Sequence, residues 1–440
     1  MILRRTFSLC PRCLSRVPAW YEEHNDIVAL VTECPEHGRS SAEVWRGSPA
    51  FSTWSRPKTP AFPEKAQTRV HDGCPFDCGL CPDHRQTTCT ALIEVTGRCN
   101  LNCPICFASS GEKPVPDLSL GHIRRILHGV AANAPGCNVQ ISGGEPTVRD
   151  DLPHIVALAK EIGIAFVQLN TNGIRLAREP GYAQALAASG LTSVFLQFDS
   201  TNDAAYTILR GKPLMDIKKA CITACAQAGI GVVLTAVLKP GVNNDQIGPI
   251  VRFAMEHMPG VRGVHFQPIS YFGRYPEVPK NCDRITLPEV MTALERQTNG
   301  MVTSAHLHPP GCEHSLCSFS GQFIKHGNTL TPLSATPHCC CRPTDAREGA
   351  MASRALVAKQ WAFPASAKDS TDPFEQGLQE IQDNKLSISA MAFQDVWTMD
   401  LERVQGCCIH VAVPDGRLIP FCAWNVTDAE GTSLYRNTSR

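Results

Sequence analysis

Three cysteines in the segment RCNLNCPICF have the spacing C-x3-C-x2-C, namely Cys99, Cys103 and Cys106. Three thiolates can bind three irons of a [4Fe–4S] cluster, which leaves the fourth iron open to a ligand from outside the chain. A structural cluster would use a fourth cysteine, so this spacing predicts a reactive centre with these residues as its catalytic metal ligands. The alternative is that the loop shares a cysteine with a neighbouring site.

A second motif, SGGEP, stands at the end of the next predicted strand and contains Gly143, Gly144 and Glu145. Glycines without side chains let a backbone come close to a ligand. The carboxylate of Glu145 can pair with an amino group. Alone this would be a weak turn motif, but its place after a strand and after the cysteine loop favours a shared binding site.

Two tight turns near the start of the chain carry another set of metal-ligand side chains. Cys10 and Cys13 lie in CPRC, and Cys34 and His37 lie in CPEHG. Ligand pairs on two such turns are typical of a mononuclear zinc or iron site. We predict a small module over residues 1–50 that needs its metal to fold; the alternative is a coincidental pair of surface cysteines.

A third set lies in GCPFDCGLCPDHRQTTC, after a proline-containing linker. Its members are Cys74, Cys78, Cys81 and Cys89. Four thiolates in a short loop with glycine and proline between them suit an iron–sulfur cluster, and a zinc knuckle is the alternative. Residues 51–90 are therefore interpreted as a linker followed by a cluster loop.

The elements that must position these motifs alternate between strands and helices. Six apolar strand-like runs, separated by helical patterns, cover residues 91–96, 138–142, 165–170, 193–198, 231–238 and 264–269. This alternation predicts an α/β fold with a parallel sheet, curled into a partial (βα)6 barrel over residues 91–300. Functional groups in such a sheet lie at the C-terminal ends of the strands, where the cysteine loop and SGGEP are found.

Residues 301–440 show no such alternation, and we predict a separate cysteine-rich C-terminal domain. It would contain a helix around residues 388–404 and a hairpin around VAVPDGRLIPFC. Its cysteines are Cys312, Cys317, Cys339, Cys340, Cys341, Cys407, Cys408 and Cys422. The triplet Cys339–Cys341 predicts either a site for a soft element, cluster ligands, or a loop with free thiols.

In combination, the cysteine loop and SGGEP resemble the radical S-adenosylmethionine (SAM) superfamily, over roughly residues 74–270. The resemblance implies that Cys99, Cys103 and Cys106 hold a [4Fe–4S] cluster that binds SAM. One electron would then release a 5′-deoxyadenosyl radical, which removes hydrogen from an unactivated carbon. The resemblance implies these cofactor-binding residues: Gly143, Gly144 and Glu145 at the methionyl amine, Asn170 and Asn172 near the ribose, and Asp199 and Gln267 on the cavity wall.

Most of the chain is similar to the tetraether lipid synthase group, a group earlier linked to pterin methylation. The segments CPRC, CPEHG, GCPFDCGLCPDH, LIEVTGRCNLNCPICFA and CCIH with IPFCAWN carry this similarity. It implies a rubredoxin-like metal at Cys10, Cys13, Cys34 and His37, and two auxiliary clusters. Cys74, Cys78, Cys81 and Cys89 would bind one cluster; Cys312 or Cys317, Cys407 or Cys408, and Cys422 would contribute to the other.

Composition limits the partners. Lys plus Arg and Asp plus Glu are 41 each, so the net charge of zero gives no electrostatic reason to expect nucleic acid. The first residues show no secretory signal, which favours metal over disulfides for the 22 cysteines and a cytoplasmic protein, with a peripheral membrane position left open. The uncharged stretch 220–238 is interpreted as a helix end, a glycine turn and a buried strand, not a membrane span.

Three functions follow, in order of preference. The first is a radical SAM enzyme that forms a bond at an unactivated carbon, by resemblance in lipid chains, with a low-potential donor such as ferredoxin or flavodoxin. The second is a radical SAM methyl or alkyl transferase acting on a pterin-like substrate or on a soft atom held by Cys339–Cys341. The third is a non-catalytic iron–sulfur electron-transfer protein.

Overall fold

The structure is a computed structural model that describes residues 1–111, 116–333, 343–364 and 372–436. Within these ranges the strands are β1 (Ile2–Leu9), β2 (Arg16–His24), β3 (Ile27–Cys34), β4 (Gly38–Arg46), β5 (Lys58–Thr59), β6 (Thr90–Thr96), β7 (Asn138–Gly143), β8 (Val167–Thr171), β9 (Ser193–Gln197), β10 (Gly231–Leu238), β11 (Val261–Pro268), β12 (Ser318–His326), β13 (Thr329–Pro332), β14 (Thr344–Asp345), β15 (Lys385–Met391), β16 (Ile409–Ala412) and β17 (Leu418–Pro420). The α-helices are α1 (Leu120–Asn133), α2 (Leu152–Glu161), α3 (Ile174–Arg178), α4 (Tyr182–Ala188), α5 (Asp203–Arg210), α6 (Met215–Gln227), α7 (Ile247–Glu256), α8 (Leu287–Gln297), α9 (Ala346–Trp361), α10 (Pro373–Asp383), α11 (Leu401–Gln405) and α12 (Phe421–Asn425).

Strands β1 to β4 form an antiparallel sheet in chain order. Alternate residues point into a small core that contains Tyr21 and Trp45, each almost fully buried. The β1–β2 and β3–β4 turns carry the two ligand pairs predicted from CPRC and CPEHG. Hairpin geometry thus brings together two turns that lie far apart in the sequence.

Strands β6 to β11 lie side by side in chain order and pair in parallel. The intervening helices bury one apolar stripe against this sheet; α1, for example, buries Ile123, Ile126, Leu127 and Val130 at helical spacing, and Ser119 caps its first turn. The predicted α/β fold is confirmed. The stretch 220–238 consists of the end of α6 and the buried strand β10, as predicted.

The C-terminal third extends the same sheet at both edges. Strand β15 pairs in parallel with β11, and β16 pairs in parallel with β6. Antiparallel partners follow outside them, namely β12 and β13 beyond β15 and β17 beyond β16. The predicted hairpin is β16–β17, and the boundaries of the predicted C-terminal domain stay a prediction.

The predicted helix around residues 388–404 is wrong. Lys385–Met391 forms strand β15, and only Leu401–Gln405 is helical within that stretch. The segment LSISAM alternates in a strand-like way, and it finds backbone partners in both β11 and β12. Pairing with distant strands therefore decides its conformation, and this information is not local in the sequence.

The N-terminal sheet is fastened to the C-terminal segment through one buried carboxylate. Asp400, with no exposed surface, accepts hydrogen bonds from the guanidinium of Arg4 (2.5 Å), the hydroxyl of Thr6 (2.7 Å) and the phenol of Tyr21 (2.6 Å). A buried carboxylate needs such partners because an unpaired charge is costly to bury. None of the helices in the described ranges combines the length and the apolar character needed to cross a bilayer.

Candidate active site and metal centres

The cysteine loop leaves the C-terminal end of β6 and packs against the end of β7. The amide of Gly144 donates to the carbonyl of Thr96, and the amide of Glu145 donates to the carbonyl of Arg98, both at 2.9 Å. A Cβ on Gly143 would lie 2.3 Å from the carbonyl oxygen of Thr96, and a Cβ on Gly144 would lie 2.2 Å from that of Arg98. The glycines thus permit a close backbone contact that holds the cysteine loop, and both line the adjoining cavity.

Glu145 is 1% exposed, and its carboxylate accepts four hydrogen bonds. Oε1 accepts from the amide (3.0 Å) and hydroxyl (2.7 Å) of Thr147 and from the hydroxyl of Thr171 (2.7 Å). Oε2 accepts from the amide of Asn172 at 2.7 Å. Glu145 therefore joins the ends of β7 and β8, and a role toward the methionyl amine of SAM stays a prediction.

Arg274 was not anticipated from the sequence, and it clamps the cysteine loop. Its guanidinium donates to the carbonyls of Cys103 (3.0 Å) and Ser110 (3.2 Å), and its backbone exchanges two hydrogen bonds of 2.9 Å with Cys106. The preceding Gly273 is needed because a Cβ there would lie 2.4 Å from the carbonyl of Phe107. The segment FGR, just beyond the last predicted strand, was the sequence feature that could have indicated this residue.

The three thiols of Cys99, Cys103 and Cys106 line one cavity of about 440 Å³ together with Glu145. Burial above all, and then the nearby charges of Glu145, Cys103 and Cys106, raise the pKa of the Cys99 thiol to about 12. A buried thiol becomes a metal ligand once a cation replaces its proton. Three cysteines of one loop that line the same cavity therefore fit an iron–sulfur cluster with an open corner.

Three of the other four predicted SAM contacts lie on this cavity, namely Asn170, Asn172 and Gln267. Asn172 also reaches the cysteine loop, because its Nδ2 donates to Oδ1 of Asn100 at 2.7 Å. The carbonyl of Asn172 accepts from the buried ammonium of Lys218 at 2.6 Å. Burial lowers the pKa of Lys218 to about 8.

Asp199 is not on the cavity wall, which corrects the prediction for this residue. It has no exposed surface and receives Nε and Nη2 of Arg210 at 2.8 and 2.9 Å, as well as the amide of Val237 at 3.1 Å. Arg210 stands between Asp199 and the cavity and lines it instead. The sequence pattern correctly placed Asp199 at a strand end, but it did not indicate that Arg210 on α5 would pair with it.

The N-terminal set is assembled as predicted. The ligand atoms of Cys10, Cys13, Cys34 and His37 all lie within 4.8 Å of one another. His37 Nδ1 is 3.5 Å from the sulfur of Cys34 and 3.6 Å from that of Cys10. Burial raises the pKa of Cys34, but hydrogen bonds from His37 and from the amides of Glu36 and His37 outweigh it and lower the pKa to about 6.

Cys89 does not join Cys74, Cys78 and Cys81, which corrects the predicted ligand set. Its sulfur is bonded to that of Cys312, and the sulfur of Cys408 lies within 4.8 Å of both. The start of β6 holds Cys89 beside Cys408 because the amide of Cys89 donates to the carbonyl of Cys408 at 2.7 Å. We call Cys89, Cys312 and Cys408 the second cysteine triad. All three line the same cavity as Cys99, Cys103 and Cys106.

The other six described cysteines that were predicted as cluster ligands form two further groups. Burial and then the nearby charges of Cys422 and Cys317 raise the pKa of the Cys407 thiol, and burial together with the charge of Cys317 raises the pKa of Cys422 to about 12. The guanidinium of Arg403 donates to the sulfur of Cys317 at 3.3 and 3.4 Å. Cys312 lies with Cys408 in the second cysteine triad, and the ligands of a second auxiliary cluster among Cys317, Cys407 and Cys422 stay a prediction.

The last group joins Cys78 to Cys74, and Cys81 is close enough to feel the charge of Cys78. Tyr435 braces its loop by accepting from the amide of Cys78 at 3.0 Å. The predicted soft-element site at Cys339–Cys341 lies outside the described residues.

Comparison with known proteins agrees with this arrangement. Residues 93–254 match the family described as "Radical SAM superfamily", and residues 2–46 match "HMPTM N-terminal zinc ribbon domain". A 7,8-dihydro-6-hydroxymethylpterin dimethyltransferase from Methanocaldococcus jannaschii is 34% identical over 476 aligned positions, covering 96% of this chain and 93% of that protein. The chain belongs to the radical SAM superfamily.

More distant similarities cover less than half of this radical SAM protein. A probable GTP 3′,8-cyclase from Methanothermobacter thermautotrophicus is 30% identical over 39% of the chain and 56% of its own length. The structure of Streptococcus suis SuiB bound to S-adenosylmethionine has 19% identity and a TM-score of 0.40, covering 49% of this chain and 48% of that one.

Superfamily membership makes the chain an enzyme that uses a [4Fe–4S] cluster and SAM, with a zinc-ribbon module ahead of the SAM-binding part. The clustered cysteines offer further metal sites beyond that cluster. The prediction of a non-catalytic electron-transfer protein is therefore wrong.

Proposed function

We propose that this radical SAM enzyme transfers a methyl or alkyl group to a small polar molecule with a pterin-like ring. Support comes from the relative with matching length, whose name is a pterin dimethyltransferase. The observation that carries the proposal is one cavity that Cys99, Cys103 and Cys106 share with polar side chains of the strands, among them Gln140 and Thr235. We place this cavity inside a partial (βα)6 barrel.

The bound cluster and SAM would supply a 5′-deoxyadenosyl radical at Cys99, Cys103 and Cys106. The chain itself contributes order and exclusion of water. Glu145 and Arg274 fix the loop and the strand ends through buried hydrogen bonds. A mostly apolar wall around a few convergent polar groups keeps a reactive species away from solvent.

Polar atoms on the cavity wall favour a polar substrate over a hydrocarbon. Within the described ranges, Thr235 Oγ1 and Asn170 Oδ1 are buried and have no hydrogen-bond partner. Both residues line the cavity. An alkyl chain would leave Thr235 Oγ1 unpaired, at about 1–3 kcal/mol, whereas a ring with donors at its edge would pair it; Asn170 Oδ1 can pair with the ribose of SAM. The expected coupling of lipid chains has no comparable support in the described part of the molecule.

We propose further that the second cysteine triad binds an auxiliary metal group rather than serving as a structural disulfide. The Cα atoms of Cys89 and Cys312 are 7.4 Å apart. Disulfides usually hold Cα atoms closer than about 7 Å. A third thiol, Cys408, lies at the same point. A metal group can use this thiol as a ligand, whereas a disulfide needs only two cysteines. Cys74, Cys78 and Cys81 would form one more site, and a low-potential donor would reduce the enzyme.

Serine variants can show which cysteines share a site. We expect Cys89→Ser and Cys408→Ser each to remove the same iron group, so that the double variant loses no more iron than either single one. Adding Cys74→Ser should remove a further group. Iron analysis and electron paramagnetic resonance of anaerobically reconstituted protein measure this, with the exposed Cys282→Ser as control. Additive losses for Cys89 and Cys408 would contradict a shared site.

The proposed activity is tested by anaerobic incubation of the reconstituted full chain with SAM, a strong reductant and 7,8-dihydro-6-hydroxymethylpterin. For each methyl group we expect one SAM to take the pterin hydrogen as 5′-deoxyadenosine and a second SAM to give its sulfonium methyl and leave as S-adenosylhomocysteine, with two electrons from the reductant. Mass spectrometry should therefore detect both by-products and a pterin heavier by whole CH₂ units. Formation of 5′-deoxyadenosine without any change to the pterin would retain the radical chemistry and reject this substrate. No 5′-deoxyadenosine from protein with full iron content would reject both.

A further inference from the structure

The cavity continues from the cysteine loop to a corner built from three aromatic side chains. These are Phe195 on β9, His265 on β11 and Trp361 at the end of α9, and we call them the aromatic corner. The ring centroid of Phe195 is 5.3 Å from that of His265 and 5.6 Å from that of Trp361. The rings are tilted by 48° and 37° relative to Phe195, so the corner is concave rather than a stack.

Both polar members of the corner are held by serines on β15. Trp361 donates its Nε1–H to the hydroxyl of Ser387 at 3.0 Å, and Nδ1 of His265 is 2.8 Å from the hydroxyl of Ser389. Burial lowers the pKa of His265 to about 4, so this imidazole is neutral at pH 7. The corner is therefore a fixed, uncharged aromatic surface.

Two polar side chains on other strands, Thr235 and Gln140, line the same cavity. Thr235 on β10 is 7% exposed, and its Oγ1 has no partner in the described ranges. Gln140 on β7 donates its Nε2 to Oε1 of Gln168 at 2.5 Å, and Gln168 in turn donates to Ser193 at 3.2 Å. This chain of bonds fixes the amide of Gln140 and leaves its Oε1 as an acceptor on the cavity wall.

We propose that the aromatic corner, with Thr235 and Gln140, is the binding chamber for the flat heteroaromatic ring of the substrate. A planar ring stacks on an aromatic surface with little loss of conformational freedom. Its edge nitrogens and amino group can pair with the Thr235 hydroxyl and the Gln140 carbonyl, which would otherwise stay unpaired. An uncharged chamber suits a neutral ring better than a phosphate or a carboxylate.

This inference rests on the proposed transfer to a ring, and it adds where the ring binds and which residues select it. Adenine, the base of SAM, is also a flat heteroaromatic ring. The chamber therefore makes a prediction that separates the two ligands: substitutions in it weaken binding of the pterin more than binding of SAM. A residue that only supported the fold would weaken both alike.

The test uses the reconstituted full chain and 7,8-dihydro-6-hydroxymethylpterin as the probe, in anaerobic equilibrium dialysis with and without SAM. We expect Phe195→Leu to raise the Kd of the pterin at least about fivefold, since stacking of a base on an aromatic side chain is worth that much or more. Phe195→Tyr should restore binding because it keeps the ring. Thr235→Val, which removes only the hydroxyl, should raise the Kd about tenfold.

The exposed Phe374 on α10 offers the matched control, and Phe374→Leu should bind the pterin as the unsubstituted chain does. Unchanged pterin binding in Phe195→Leu and Thr235→Val would overturn the proposal. Equal weakening of pterin and SAM would overturn it too, because the corner would then hold adenine or act through the fold. If the unsubstituted chain methylates the pterin, either of these outcomes rejects the ring chamber alone, whereas an unsubstituted chain that cleaves SAM but binds no pterin rejects the proposed pterin-like substrate.

Discussion

Replacing Cys103 with serine should leave a folded chain that cleaves SAM more than about a hundredfold more slowly. Even residues that only support a metal ligand cost ten- to a hundredfold when they are changed, so loss of a ligand should cost more. The loop itself should survive, because Arg274 holds the carbonyl of Cys103 and not its sulfur. Serine keeps the size of the side chain and removes only the soft ligand atom.

The measurement is 5′-deoxyadenosine release under anaerobic conditions, together with iron content and thermal unfolding of the same samples. We expect a loss of about four irons per chain, the content of one cubane cluster, and an almost unchanged unfolding temperature of the apo chain. Cys282→Ser is the control because Cys282 is exposed and lies outside every cysteine group described above. Full activity of Cys103→Ser would show that the radical cluster lies elsewhere.

Local sequence motifs predicted the parts of the site that are built locally. C-x3-C-x2-C, SGGEP and the two N-terminal turns each bring their residues together within one loop or one pair of turns. Strands β6 to β11 were also predictable, because each is a buried apolar run followed by a helix. Within each loop or turn the sequence neighbours are also the spatial neighbours, and the hairpins of the N-terminal sheet bring its two turns together.

The errors occurred where partners are distant in the sequence. Cys89 was grouped with the nearest cysteines, yet it meets Cys312, at a sequence separation of 223 residues. Arg210 and Arg274 were missed because an arginine on a helix or loop carries no pattern that shows which carbonyl or carboxylate it will reach. Strand β15 was mistaken for a helix because its partners β11 and β12 come from other parts of the chain.

Burial explains why the sequence did not show which charged residues would pair. The side chain of Arg210 is 9% exposed and that of Asp199 is not exposed at all. Each needs the other, because either one alone would be a buried unpaired charge. Arg210 and Asp199 therefore identify each other only after the sheet is assembled. Arg403 and Cys317 are a second example, because the spacing of the cysteines in the sequence does not show that this guanidinium donates to this sulfur.

Gly144→Ala should be far more harmful than its small size suggests. The added methyl would lie 2.2 Å from the carbonyl oxygen of Arg98, which is main chain and cannot move without moving Cys99 beside it. We expect a loss of about 1–3 kcal/mol in the free energy of unfolding, as for other overpacked sites. Retention of the radical cluster and affinity for SAM should fall as well, since the strain acts directly on the ligand loop.

Gly129→Ala is the matched control, because the same methyl group on α1 meets no atom within 4 Å. It should raise the free energy of unfolding by about 0.5–1 kcal/mol, as alanine does in place of glycine within a helix. Chemical unfolding of the apo chains, with iron content and SAM binding after reconstitution, compares the two variants. The contradicting result is a Gly144→Ala variant that keeps its cluster and binds SAM as Gly129→Ala does. That result would show that the contact between the two strand-end loops does not hold Cys99 in place. Gly143 and Gly144 would then have to act on bound SAM directly.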